Sequence, residues 1–563
     1  MKFKYCRQDK SHSPLNLLLL IISIAIGIFL RFTNLAFKPA SSIEIATIGY
    51  SLGHGFNAIP LDRLVSSDIL LAPLRLDTSI GYTEVFQRLV EESTHPPLYF
   101  WLTHWWTNLW LNDGDLVSLY TARSLSALIG TLAIPAIFIL GWVAFRSRVV
   151  AHFAAILMAI SPYGIYLSQE ARHYTLSVLW VIASLICLCQ TIRLIQQKVS
   201  VPLWLGLIWI VVNALGIATH YFFVLALGAE AIALLIFWLS NPQEQPFNYF
   251  KGLYLVGIGT LASGLAWLPF INSISGNEMT TWIKTSYELN DILLPFPRLL
   301  AWIITMLMLL PIEGVSKILA IASGIIVLAI LVWAIPILFQ QWRLQFNNSS
   351  TRSSITLIIG YLAGSLSIFL LLIYGMGKDI SLAARYHFVY FPGLILMIAT
   401  AFAACWQPDN VPVDKVIKRN LFAAGNRIII VLLTMGLLGS FTVISNLGFQ
   451  KSLSSDRLAA HIQQNASLPT VIAMTHETHS EIRELVALAL SFERLNVDKT
   501  QLPQFVLVQQ DTKILTTQTK PFNLFGINLN LDDNSLKQFG CIRDEAIDLS
   551  RSGYSDRFYH CNL

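Results

Sequence analysis

Ten side chains able to carry charge or move a proton lie just outside long apolar runs: Glu44, Glu170, Arg172, Lys378, Asp379 and Arg385, with His95, His173, His220 and His387. A carboxylate in such a place can take a proton from an attacking hydroxyl or amine. It can also help hold a divalent cation, and a guanidinium can meet two phosphate oxygens at once. Ionisable groups at the edge of an apolar bundle are costly unless paired or used, so their gathering at one level is a functional hypothesis in its own right.

Each residue also has a plainer reading. Glu44, in KPASSIEIATIGYS, is either a general base or a helix N-terminal acid following Ser41 and Ser42. Glu170 and Arg172, in SPYGIYLSQEARHYTL, either orient an acceptor and grip phosphate or close a helix as a mutual ion pair. Lys378 and Arg385 suit the phosphate of a lipid whose tail lies in the bilayer, or are snorkelling anchors. His95, in THPPLYFWLTHWW, and His220, in GIATHYFF, are metal ligands or structural hydrogen-bonding residues.

The elements that must position these groups are membrane helices. The chain has 563 residues, 55% hydrophobic and 13% charged, with mean hydropathy +0.59, too apolar for a water-facing surface of this size. Runs of the roughly 20 residues a span requires lie near 15–37, 118–145, 149–167, 173–192, 202–219, 221–240, 252–275, 317–340, 355–374, 387–405 and 427–447. Counting two shorter apolar stretches, 96–111 and 298–312, would raise the eleven spans to thirteen. Eleven keeps the Arg- and Lys-bearing short loops inside, so those two stretches are expected to be helices at the outer surface. The N-terminus then lies in the cytoplasm, and the C-terminus and the long loop 37–117 lie outside. The net charge of +5 follows topology rather than forming one patch, which argues against a nucleic-acid partner. No nucleotide-binding pattern occurs. Ionisable residues gather at one face, with no inverted repeat and none read at mid-membrane, against a secondary transporter.

From 448 to 563 the pattern changes. TVIAMT and QFVLVQQ read as strands around an amphipathic helix beginning near His476, a small α/β domain outside the membrane. HETHSE in it reads as surface charge rather than a metal site. Cys541 and Cys561, in an oxidising compartment, can form a disulfide; Cys6, Cys187, Cys189 and Cys405 read as packing thiols.

The pieces LRFTNL, THPPLYFWL, ARSLSALIGTLAIPAIFILGW, SPYGIYLSQEARHYTL, THYF and RYHFVYFPG, in order over about two thirds of the chain, resemble the integral-membrane GT-C glycosyltransferases. The resemblance is to glycosyltransferase family 39, which includes the protein O-mannosyltransferases and the aminoarabinose transferases of lipid A. It implies an all-α GT-C membrane bundle over 1–447, in the plasma (inner) membrane. The implied reaction moves a sugar from a polyprenyl-phosphate donor to a lipid, glycan or protein acceptor on the outer face. By that resemblance Glu170 belongs to the active site, Arg385 binds the donor phosphate, His95 marks the loop that shapes the cavity, and Tyr174 and Tyr386 line it. The residues themselves add Glu44 as a catalytic acid beside Glu170, Lys378 and Arg172 as further phosphate contacts and His220 in the cavity wall, with a divalent cation an open option. One departure bears on activity. The family carries an Asp-Glu pair after the first span, the Asp acting as base, and here the pair is Ile43-Glu44. Glu44 would have to turn inward, Asp62, Asp68 or Asp77 would have to substitute, or the chain binds polyprenyl phosphate or a partner without transferring sugar.

Overall fold

A computed structural model describes residues 14–240, 251–270, 283, 288–406, 415–465, 468–495, 502–509, 521–530, 533–538, 540–544 and 552–561. The first basic residues, Lys2 to Lys10, and Cys6 lie outside these. Among the described residues eight helices are long and apolar enough to cross a membrane: Pro14–Phe32, Leu119–Phe145, Tyr174–Gln196, Phe223–Ser240, Gly252–Phe270, Lys317–Asn347, Arg352–Gly375 and Ala424–Ile444. A ninth is the pair Arg148–Ala159 and Pro162–Ser168, bent by 56°, where Ser161 caps the second half and Pro162 opens it without a missing donor. Leu203–Thr219 and Phe391–Trp406 are shorter apolar helices. Together they fall one to one on the eleven apolar runs. This is a multi-pass membrane protein.

The lipid side is written in exposed apolar side chains. On Lys317–Asn347, Ile318, Ile321, Ile325, Leu328 and Val332 all face outward, where only hydrocarbon could cover them. The inner faces pack through small residues. A Cβ on Gly27 would sit 2.1 Å from Ile134, and one on Gly130 would sit 2.2 Å from Ser168 Oγ, so the first span lies tight against Leu119–Phe145, and that helix against the SPYGIYLSQE turn, only because both positions lack a side chain. The two short stretches are helices Leu98–Trp110 and Pro295–Thr305, each below spanning length.

One expectation is corrected. Glu230 lies inside the span Phe223–Ser240 and is buried, so the membrane interior does hold an acid. It meets Ser184 at 2.9 Å, which also bonds Asn213 and Trp209, and Asn213 reaches Thr260. Neighbouring helices supply those partners, and the surrounding apolar run hides the acid from any hydropathy average.

Outside the membrane, β1 (Thr470–Thr475), β2 (Gln504–Val508), β3 (Phe522–Ile527), β4 (Cys541–Arg543) and β5 (Asp556–Cys561) form a sheet of order β2-β1-β3-β5-β4. β2, β1 and β3 are parallel, while β5 runs antiparallel to both β3 and β4. Cys541 and Cys561 form a disulfide. In HETHSE, Glu481 closes a capping box with Thr478 at the start of helix His479–Arg494. Val65 of the first outer loop exchanges two backbone hydrogen bonds with Phe505 of β2. Leu70, Leu71, Leu74 and Phe56 of that loop share one apolar core with Leu485, Leu488, Phe492 and Phe558. The outer loop and the C-terminal domain are therefore a single folded cap over one end of the bundle.

Candidate active site

The polar residues meet where that cap joins the helix ends. Glu44 is in the first turn of helix Ser42–Ser51, completing a capping box with Ser41, as its plainer reading expects. Its burial is complete, and it does more than cap. Arg123, one turn into the span Leu119–Phe145, donates to Glu44 Oε1 from Nε at 2.8 Å and to Oε2 from Nη2 at 3.0 Å. The remaining Arg123 donors go to the carbonyls of Leu35, Lys38 and Pro39, so all five N–H groups of the fork are used. The Ala171 amide donates to Glu44 Oε1 at 2.9 Å, and Lys451 lies 3.3 Å from Oε2. Burial alone would raise the Glu44 pKa; Arg123 and Lys451 outweigh it and hold the carboxyl well below the usual carboxylate range.

Glu170 pairs with the other side of Lys451 through Oε1. Its Oε2 is buried with no hydrogen-bond partner. Lys38 is buried in the same cluster, and its Nζ likewise has no partner. Burial and the cations Lys451 and Arg123 push this ammonium down to about 7. Glu170 and Lys451 open onto a cavity of about 310 Å³, lined also by Tyr166, Arg298, Trp302 and Glu313. Arg298 is held by Asp379 at 2.7 Å. The volume lies at the lower end of the range for small-molecule sites.

Arg172 does not pair with Glu170. Its guanidinium donates to the Ile43 carbonyl (3.2 Å), Thr47 Oγ1 (2.6 Å), His95 Nε2 (3.0 Å) and the Tyr174 hydroxyl (3.3 Å). Because arginine only donates, His95 Nε2 must accept, placing its proton on Nδ1, which faces Ser93. The rings of His95, His173 and His220 lie 4.6 to 6.4 Å apart, and burial followed by Arg172 lowers all three, His220 to about 3. They are neutral imidazoles beside a fixed cation. Tyr386 packs on His220 and Phe222, and Arg385 lies over the Tyr386 ring at 5.2 Å, with Tyr174, Tyr166 and Glu170 as its electrostatic neighbours. The cleft beside His95 holds only about 20 Å³, space for about one water.

The structure thus brings Glu44, Glu170, Arg172, Arg385, His95, His220, Tyr174 and Tyr386 to one end of the bundle. It does not bring Lys378, which is half-buried and makes no hydrogen bond or ion pair to this cluster among the described residues. Nor does it bring the three proposed substitutes for the missing Asp. Asp62 binds the Gln509 amide, Asp68 pairs with Arg75 and Asp77 caps Ser79. Among the described residues no three His, Cys, Asp or Glu side chains converge to suit a metal ion. His387, expected at this level, is bonded to Tyr390. Sequence reasoning missed Arg123, Lys38, Arg298 and Lys451. Arg123 had a signal, a lone arginine at the outer end of a span within ARSLSALIGTLAI; Lys451 had none.

No protein-family model and no curated protein matches the sequence. Among solved structures, ArnT from Cupriavidus metallidurans bound to undecaprenyl phosphate aligns with a TM-score of 0.52 over 98% of both chains at 10% identity. The same protein in the apo state gives 0.52 over 97% of this chain and 98% of that one, also at 10% identity. The Archaeoglobus fulgidus oligosaccharyltransferase in the apo form aligns at 0.49 over 85% of this chain and 64% of its own, with 12% identity. The fold of this chain, a helical membrane bundle with a small extracytoplasmic-type α/β cap, is of the GT-C type.

Proposed function

We propose that this protein transfers a sugar from a polyprenyl-phosphate donor to an acceptor at the outer face of the plasma membrane. The observation that carries the reading is the cavity bordered by Glu170, whose Oε2 lacks a partner, in the electrostatic reach of Arg385. ArnT, whose fold this chain shares, was determined with undecaprenyl phosphate bound, which supports a donor of that class. Arg385 receives the donor phosphate, and Arg172, with its Nε buried and unpartnered, fixes the neighbouring wall of histidines and tyrosines. The base role that sequence alone gives to Glu44 moves to Glu170. Every lone pair of Glu44 faces a donor, so a proton has nowhere to land, whereas Glu170, which lines the cavity, keeps one carboxylate oxygen without a partner. Glu170 takes the acceptor proton as the acceptor oxygen or nitrogen bonds to the anomeric carbon and the polyprenyl phosphate leaves with the glycosidic electron pair.

The test is transfer of labelled sugar by the purified protein from a panel of polyprenyl-phosphate donors. Transfer from at least one donor, lost in Glu170→Gln, supports the reading. A second reading, binding without transfer, is favoured by Ile43 in the position of the family's Asp. Binding of the panel lipids with no transfer, and transfer appearing in Ile43→Asp, would establish it instead.

A further inference from the structure

The segment that follows the last span, 445–454, reaches back into the site instead of simply leading to the cap. Phe449 adopts a left-handed φ of 55°, a conformation that costs a non-glycine residue about 1 kcal/mol or more. Its ring lies between two parallel partners, Tyr166 at 4.5 Å and 10° and Trp302 at 6.0 Å and 11°. The next amide, Gln450, donates to Glu313 at 2.6 Å, and the Leu447 carbonyl accepts from Ile312 and Glu313. These contacts fix Lys451, whose side chain is 11% exposed, with its ammonium between Glu44 and Glu170.

Two buried carboxylates in such proximity repel unless a cation bridges them, and a divalent ion is one common solution. Here the groups around them do not suit a metal. Glu44 is filled by Arg123, His95 accepts from Arg172, His220 accepts from the Phe222 amide, and the point between the acids is taken. We propose that the Lys451 ammonium is a tethered cation that does structurally what a divalent ion would do, bridging Glu44 and Glu170. It is a positioning residue, holding Glu170 by Oε1 so that Oε2 is left without a partner beside the cavity that Glu170 lines. The inference rests on the reading of Glu170 as an active-site acid, but its metal-binding arm does not depend on transfer.

The experiment measures Mn²⁺ binding to the full-length purified protein by electron paramagnetic resonance. Because Lys38 lies in the same cluster and can supply the missing charge, Lys451→Ala is made both alone and with Lys38→Met. The native protein is expected to bind no Mn²⁺ that Glu170→Gln removes. The double variant is expected to gain one ion per chain, lost again when Glu170→Gln is added. A native protein holding a Glu170-dependent ion would overturn the proposal, as would a double variant that melts cooperatively and gains none. If Lys451→Ala does not fold, Lys451→Gln, neutral and nearly isosteric, replaces it. Where transfer is measurable, it should survive chelation by EDTA in the native protein; loss of more than tenfold would also count against the proposal.

Discussion

The knot around Arg123 and the wall shared by Glu170 and Arg385 are neighbours built from the same residue types, yet they differ in how completely their polar atoms are paired. In the knot, five arginine donors and four carboxylate lone-pair directions are all engaged. At the wall, Glu170 Oε2, Lys38 Nζ and Arg172 Nε are buried without partners. A fully satisfied buried network rigidifies, and a partly satisfied one is either an error or a place kept for a ligand. The contrast assigns scaffold to the first region and chemistry to the second, although both contain a glutamate at nearly the same level.

The largest expected effect is in the knot. Arg123→Leu takes from Glu44 its guanidinium partner and from three carbonyls the donors that Arg123 supplies, and breaking a buried pair costs roughly 3 to 5 kcal/mol. Yield and thermal unfolding in detergent should show a strongly destabilised protein, and Arg123→Lys should not restore it, because an ammonium cannot span both oxygens and three carbonyls. A near-native melting temperature for Arg123→Leu would remove the scaffold assignment. At the wall, Glu170→Gln should lower transfer by about 10² to 10⁴-fold, the usual worth of a general base, with the melting temperature little changed. Arg385→Ala should weaken binding of polyprenyl phosphate by about 10- to 100-fold, the loss of a charge-assisted contact. Lys378→Ala should change it less than about threefold, within the usual range for a cation outside the site and partly open to solvent; equal losses in the two variants would redraw the phosphate site.

The smallest effect concerns pH. Lys38 is held down to about 7 in the folded protein against about 10.4 when unfolded. Between these values the unfolded chain binds the extra proton, so this residue makes stability rise as pH increases through that window. Thermal unfolding from pH 7 to 10 should show that rise, and Lys38→Met should flatten it. An unchanged slope in the variant would mean that Lys38 is not the group titrating.

The architecture was readable because a span is a local property. Eleven apolar runs, two helices too short to cross and a switch to strand-like alternation near 470 all depend on neighbours in sequence. The site was readable only at the level of which loops contribute. Glu44 looked like a base because its partner Arg123 lies 79 residues away, inside a run that reads as membrane. Glu170 looked like the partner of Arg172, two residues on, but it binds Lys451, 281 residues away, beyond the point where the membrane domain was taken to end. Glu230 escaped because one acid among seventeen other residues of an apolar helix barely moves an average. Pairing over such distances belongs to the packing, which no single window of sequence contains.

The most direct test compares Glu44→Gln and Glu170→Gln side by side, recording both sugar transfer from a polyprenyl-phosphate donor and thermal unfolding. The account predicts that Glu170→Gln loses transfer while keeping its melting temperature, and that Glu44→Gln loses stability first, its remaining folded fraction retaining transfer. Transfer abolished in a stable Glu44→Gln protein, with Glu170→Gln active, would contradict it.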